Sequence, residues 1–410
     1  MKFFRCFIVL CVLTIQGYCI VLPHGESQPA DTTQNENNSS SKIQVTYGSK
    51  GWEFATEDDN YKLQFQSRLQ FRFAHPIDTD PITFDDFQKE EQNIFKVNRA
   101  RLKIGGNAFQ EWLKYYWEYE LAAGNLLDFQ MMVEKYSWLS IRAGQWKTRY
   151  NRERVISSGK QQMVDRSIIN RPFTLDRQQG ISLYGRFKGQ RMLDLNYWFE
   201  ILTGTGRGAA GNDDRNLMYV FRGQWNFRGR SLGFTGSDLK YNKELVGLLA
   251  LAATTNRSPY TRFSQAGGGQ LEGFDPGEPG QYWVNQWMAE TALMFKGFSW
   301  QQEFHWKQID DKVNKTITTL IGNYLQFGYF FHYLWSRVPK SLEMALRHAT
   351  YDPDMNIDRN EQNELSLVLN WFFRKHLNKL SAEVSYFDFK QTQQDLSDGW
   401  RFRVQWDVSM

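Results

Sequence analysis

Twelve basic side chains crowd into residues 142–191, and only three acidic ones accompany them. The bases are Arg142, Lys147, Arg149, Arg152, Arg154, Lys160, Arg166, Arg171, Arg177, Arg186, Lys188 and Arg191; the acids are Glu153, Asp165 and Asp176. A second basic set is spaced by twos: Arg68 and Arg72, then Arg99, Arg101 and Lys103, then Arg401 and Arg403. Guanidinium groups present a planar fork of donors suited to carboxylate and phosphate oxygens. Gathered beside low-dielectric walls, they concentrate anions. The chemistry these residues suggest is therefore anion attraction and binding. Hydrolysis would need a nucleophile or activated water beside histidine and carboxylate groups. The six histidines, His24, His75, His305, His332, His348 and His376, are scattered, and the pairing of His305 with Glu303 on one face is read as packing. No enzyme and no cofactor is expected.

Period-two alternation positions the second basic set. Tyr61, Leu63, Phe65, Leu69, Phe71 and Phe73 share one face, and Lys62, Gln64, Gln66, Arg68, Gln70 and Arg72 the other. The C-terminal segment repeats this, with Trp400, Phe402, Val404, Trp406, Val408 and Met410 alternating with Arg401, Arg403, Gln405, Asp407 and Ser409. Strand geometry sorts such residues onto two faces, which a helix does not. The expected fold is all-β: a transmembrane antiparallel β-barrel of about 16 strands, an even count as closure requires. The expected strands span 61–74, 94–105, 112–122, 127–135, 138–146, 179–188, 191–202, 216–227, 243–255, 282–296, 298–309, 317–333, 341–351, 362–373, 377–389 and 398–410. Interruptions at 75–93, 147–178, 203–215, 256–281 and 352–361 read as loops on one side. The longest, 147–178, holds most of the basic cluster and is expected to fold inward.

The ends of the chain fix the compartment. Lys2 and Arg5 precede a short apolar run from Phe7 to Ile15, so residues 1–19 read as a secretory signal peptide. All three cysteines, Cys6, Cys11 and Cys19, lie within it, which leaves no disulfide or cysteine metal site downstream. Its removal lowers the formal net charge from +4 to +2 through loss of Lys2 and Arg5. An exported, near-neutral chain argues against a nucleic-acid partner. Residues 20–42 form a disordered polar linker, and residues 43–410 a single barrel domain. Export, strand length and aromatics near strand ends favour the outer membrane over a soluble sandwich.

The order of several short motifs resembles the phosphate-selective porins O and P of Gram-negative outer membranes, over most of residues 50–406. The motifs are Ser67-Arg68-Leu69-Gln70; Asn98-Arg99-Ala100-Arg101-Leu102 with Gly105-Gly106; Trp112 with Lys114; Gly144-Gln145-Trp146-Lys147; Arg152-Glu153-Arg154 with Ser157-Ser158; Asp176-Arg177-Gln178-Gln179-Gly180; Leu342-Glu343-Met344-Ala345-Leu346-Arg347; and Arg403-Val404-Gln405-Trp406. The resemblance implies a trimeric channel with an anion site at its constriction. It assigns that site to Arg68, Arg99, Lys114, Asp128, Arg154, Ser157 and Arg166. Further basic residues of the lumen would be Arg72, Arg101, Lys103, Arg142, Lys147, Arg177, Arg347, Arg401 and Arg403. Arg154 stands where members of the family can carry Lys, Arg149 where many have Pro, and Met410 where a terminal Phe is usual. The partners implied are inorganic phosphate or other small anions, with outer-membrane lipid and lipopolysaccharide around the barrel. Three functions remain open on sequence: an anion channel, a general or sugar-permeable porin with Tyr116 as a stacking surface, and a non-conducting surface barrel. Interior charges pairing among themselves, Arg152 with Glu153 and Asp165 with Arg166, is the plainer alternative to a binding site.

Overall fold

The computed structural model describes residues 42–410, apart from 190–192, 209–210, 213–214, 229, 265–267 and 392–393. The expected signal peptide and nearly all of the expected linker lie outside the described residues. The fold is one antiparallel sheet closed on itself. Its strands are β1 (Ile43–Gly48), β2 (Gly51–Thr56), β3 (Lys62–His75), β4 (Ile94–Asn107), β5 (Leu113–Glu120), β6 (Asn125–Tyr136), β7 (Leu139–Lys147), β8 (Arg177–Lys188), β9 (Asp194–Leu202), β10 (Met218–Phe227), β11 (Val246–Ser258), β12 (Tyr282–Phe295), β13 (Phe298–Asp311), β14 (Thr316–Tyr329), β15 (Leu342–Asp352), β16 (Gln362–Phe372), β17 (Asn378–Gln391) and β18 (Gln394–Ser409). Each of β3 to β18 pairs with its neighbours in sequence, and β18 returns to pair with β3, from Phe402↔His75 to Ser409↔Arg68. That makes the closed sixteen-strand barrel the alternation predicts.

β1 and β2 are additional to that expectation. They form a hairpin on the edge of β3 that β18 leaves free, with Trp52↔Phe65 and Phe54↔Leu63 in register. The chain ends beside it: Ser67 and Met410 exchange two main-chain hydrogen bonds of 2.9 Å. Polar seam residues lock the closure. Arg68 Nε donates to Asp407 at 2.7 Å, and both side chains are nearly fully buried.

Alternation places apolar side chains outward, as Phe65, Leu251, Trp371 and Trp406 show by their exposure, and polar ones inward. A closed barrel satisfies every strand hydrogen bond within its wall, so an apolar exterior equips it to cross a bilayer. One end carries the longest loop and four others of nine residues or more, and is the outer end of such barrels, while the opposite end is mostly short turns apart from 228–245 and 330–341. Those loops are residues 76–93, 148–176, 203–217, 259–281 and 353–361.

The segment 148–176 turns into the barrel. It carries two single-turn helices, α1 (Arg152–Val155) and α2 (Asn170–Phe173). A glycine pair stands on the two strands that flank it. Gly144 on β7 has φ +124° and faces Gly180 on β8; a Cβ on either would lie 2.1 Å from a partner-strand carbonyl oxygen. Glycine alone tolerates both constraints.

An irregular segment in an interior must satisfy its main-chain polar groups locally. Here the far wall, β9 to β17, supplies the partners. Glu303 accepts from the Glu153 amide at 2.7 Å and from Asn151 at 2.9 Å; Glu383 accepts from the Val164 amide and Glu364 from the Ile168 amide. Arg222, Arg347 and Lys379 donate in return to the carbonyls of Tyr150, Asp165 and Gln161. Between these contacts lies an apolar seam in which Tyr150, Ile168, Ile169, Phe173 and Leu175 pack with Val220, Met288, Ile309 and Tyr324. The loop is thus bonded and packed chiefly to one side of the lumen, with Arg68 and Arg72 of β3 reaching it from the other.

Two outcomes test this arrangement. Removing one partner of a buried ion pair strands the other charge and costs about 3–5 kcal/mol. Asp407→Ala should therefore lower the temperature at which the folded, heat-modifiable band is lost on a gel; an unchanged transition would show that the seam does not depend on this pair. The second concerns Glu153, whose carboxyl burial pushes up to about 7, with Glu303 adding and Arg347 opposing. Between the ordinary carboxyl range and about pH 7 the folded state retains a proton that the unfolded chain has lost. Stability then falls as pH rises through that window and levels off above it. Glu153→Gln should flatten this decline in the thermal midpoint measured from pH 5 to 8.

Candidate anion passage

The loop's attachment to the far wall leaves an opening against β3 to β8. A cavity of about 130 Å³ lies there, lined by Arg99, Arg101, Leu127, Lys147, Arg154, Ser158, Arg166, Asp176, Arg177 and Arg207. Seven lining residues are cations, one is a carboxylate and none is aromatic.

Local irregularities aim these side chains. β3 and β4 pair regularly until the register shifts, with Gln70↔Arg99 followed by Phe71↔Val97, so Asn98 is a bulge. β5 and β6 shift likewise, Glu118↔Asp128 followed by Tyr119↔Leu126, and Leu127 is the extra residue. A bulge breaks alternation and redirects neighbouring side chains. That is how Arg99 and Leu127 both come to line the cavity. Arg154, Ser158, Arg166 and Asp176 come from the inward loop, and Arg207 from the loop after β9.

The cations differ in how they are held. Arg177 makes two 3.1 Å bonds to Asp128, and Arg101 pairs with Glu118 and Glu120 at 2.7 Å each. Arg154 pairs with Asp176, its Nε at 3.1 Å. Arg99 donates to Gln70 at 2.7 Å and approaches Asp165 at 3.6 Å. Lys147 and Arg166 are held mainly by carbonyl oxygens: Lys147 by Arg154 and Ile156 at 3.3–3.4 Å, Arg166 by Glu153, Arg154 and Ile156 at 3.1–3.3 Å. Among the described residues, no carboxylate pairs with Arg207. Five carboxylates, Glu118, Glu120, Asp128, Asp165 and Asp176, contact five of the seven cations, Arg99, Arg101, Arg154, Arg166 and Arg177, leaving two positive charges in excess.

Three titrating groups of the loop, Asp165, Asp176 and Arg166, stay ionised. Burial weighs against the Asp165 carboxylate, but Arg99 and Arg72 outweigh it and hold its pKa well below the usual range. Burial likewise opposes the Asp176 carboxylate, and Arg154 and Arg177 lower its pKa overall. Burial and then Arg154 push Arg166 down to about 9, still charged at neutral pH.

Of the seven residues assigned to the constriction by resemblance, Arg99, Arg154 and Arg166 line the cavity. Arg68 stands just behind it, donating to Ser158 at 2.9 Å as well as to Asp407. A Cβ at Gly159 would lie 2.7 Å from the Arg68 guanidinium carbon, so that loop glycine lets the two approach. Asp128 backs Arg177. The lining serine is Ser158, with Ser157 its neighbour. Lys114 projects to the polar face but at the inner end of β5, half-exposed and bonded to Glu134 at 2.7 Å.

Of the further basic residues, Arg101, Lys147 and Arg177 line the cavity. The others brace the interior: Arg72 on Asp78 and Asp165, Arg142 on Glu200, Arg347 on Glu364, Arg401 on Asp80 and Arg403 on Glu383. Lys103 is half-buried on β4. The suggested pairing of Arg152 with Glu153 is not seen, for Arg152 donates to Gln301 and the Thr235 carbonyl. Arg207, in a Gly-Thr-Gly-Arg-Gly run, carried no strand signal and was not anticipated. Its flanking glycines were the available cue.

Among the described residues, no group of three or more His, Cys, Asp or Glu could hold a metal ion. His305 is buried against Glu303 and stacks on Phe173 of the loop.

The same architecture occurs in solved structures at low identity. OmpT of Vibrio cholerae superposes with TM-score 0.56 at 9% identity, covering 87% of this chain and 100% of that one. An anion-selective porin from Comamonas acidovorans gives 0.54 at 12% identity, covering 85% and 100%. The outer-membrane channel DcaP of Acinetobacter baumannii gives 0.53 at 9% identity, covering 87% and 99%. By sequence, no curated protein matches the chain. The family model for phosphate-selective porin O and P matches residues 68–403, from the seam arginine of β3 into β18, and the chain belongs to that family of outer-membrane porins.

Proposed function

We propose that this porin is a passive diffusion channel favouring small anions, inorganic phosphate or polyphosphate among them, through the passage between the inward loop and the β3–β8 wall. The observation that carries this reading is the cavity lining of seven cations against one carboxylate. Rings of basic side chains attract anions and repel cations, and low-dielectric walls strengthen the field. Lys147 and Arg207 line the opening with no paired carboxylate among the described residues, so a passing oxyanion can exchange water for their donors. Arginine forks suit phosphate geometry. A sugar track would need stacking surfaces, but Tyr116 donates to Glu118 and stands outside the lining. Residues 1–19 serve as the export leader, and the assembly is a homotrimer with lipid around its outer faces.

The test is the reversal potential of the purified protein in a planar bilayer under a potassium chloride gradient, repeated with phosphate. Anion preference and phosphate block are expected. Arg166→Ala should weaken both, but Arg166 also braces the loop. Arg207→Ala, which makes no such contact, should by itself lower the anion-to-cation permeability ratio about two- to tenfold, on the scale of one charge-assisted contact. Cation preference would contradict the reading, and no conductance would favour a surface-structural barrel.

A further inference from the structure

A second concavity lies on the outside of the barrel, at its outer end, apart from the lumen. Its volume is about 360 Å³, and Arg215, Asn216, Leu217, Tyr219, Thr255, Asn256, Arg257 and Trp283 line it. Strand register explains its shape. Outward rows run Tyr219↔Thr255↔Asn285 and Phe221↔Ala253↔Trp287, with Arg257↔Trp283 above them. Small side chains on β11 therefore form a floor between aromatic walls on β10 and β12. Leu251, two-thirds exposed, and Leu249 continue the floor towards the middle of the barrel wall.

The upper rim is polar and basic. Arg257 is exposed, and its Nε donates to the Gly280 carbonyl at 2.8 Å. Arg215 is exposed beside it. Lys312, paired with Asp310, lies 5.0 Å from the centre of the Trp283 ring, so the net positive charge of the rim comes from the two arginines. Among the described residues, no carboxylate pairs with Arg215 or Arg257. Trp283 is itself oriented, its indole donating to Thr255 at 2.9 Å, and Thr255 donating on to Asn285 at 2.8 Å.

We propose that this groove binds a phosphorylated glycolipid of the outer leaflet, the lipid A end of lipopolysaccharide. Cations at headgroup depth above an apolar furrow match a molecule with phosphate at one end and acyl chains at the other. Arg215 and Arg257 take the phosphate, because forked donors at a membrane surface suit its oxygens. Tyr219 and Trp283 occupy the interfacial level that amphipathic rings prefer. An acyl chain lies along Thr255 and Ala253 between the aromatic walls. This site shares no residue with the anion passage, so it stands whether or not the channel favours anions.

The test is native mass spectrometry of the folded, detergent-solubilised protein titrated with diphosphorylated lipid A, with its dephosphorylated form and with inorganic phosphate. We expect saturable binding of the phosphorylated lipid. Combined Arg215→Ala and Arg257→Ala should weaken it at least tenfold, the scale of losing charge-assisted hydrogen bonds. Ala253→Trp, which fills the furrow but leaves the arginines, should also weaken it. Both variants should keep the parent's conductance and heat-modifiable mobility, which separates a lost site from a lost fold. Unchanged affinity in both variants would overturn the proposal. So would displacement of the lipid by inorganic phosphate with no effect of Ala253→Trp, since the groove would then be a simple anion site.

Discussion

A loop inside a barrel stays there only if its peptide groups find partners, since an unpaired buried amide or carbonyl costs about 1–3 kcal/mol. In this protein the far wall provides them through charged side chains. Glu303, Glu364 and Glu383 accept loop amides, while Arg222, Arg347 and Lys379 donate to loop carbonyls. Bonds of this charge-assisted kind are stronger and more directional than neutral ones. They hold residues 148–176 to β9–β17 and so determine where an opening can be.

The arrangement also divides the lumen electrically. Carboxylates on the far wall are occupied by loop amides and by bracing arginines such as Arg347 and Arg403. On the near wall, Arg99, Arg101, Lys147 and Arg177 meet Arg154 and Arg166 from the loop and Arg207 from its neighbour. The near-neutral formal charge of the whole chain hides this, because opposite charges are consumed in different places. Local excess, not net charge, sets the field in a passage. Rigid attachment matters for the same reason: a mobile loop would average the positions of Arg154 and Arg166 and widen the path.

Much of the barrel was legible because strand alternation is a local signal. Tyr61 to Phe73 and Trp400 to Met410 could be sorted onto two faces without knowing any partner. The hairpin β1–β2 was not read as strands, since each arm holds only six residues and follows a polar tract. Side-chain parity was legible, but depth and partners were not. Alternation puts Lys114 on the polar face of β5, yet only the register with β6 shows it beside Glu134 near the inner end. Arg68 finds Asp407 across the closure, 339 positions away, and nothing local announces such a pair. The bulges at Asn98 and Leu127 break alternation and became visible only from cross-strand register. Inside the loop no periodicity exists, so Ser157 came from the resemblance alone, and the side chain that lines the cavity is that of its neighbour Ser158.

The central claim is that loop position, held by far-wall carboxylates, creates the anion passage. The most direct measurement is the single-channel conductance and permeability ratio of the protein carrying Glu364→Gln together with Glu383→Gln. These changes remove negative charge from the lumen, so a simple charge sum would raise anion preference. The present account predicts the opposite: a released loop, higher and noisier conductance, and a lower anion-to-cation ratio. Unchanged conductance with increased anion preference would contradict it and would assign selectivity to the total charge of the lumen.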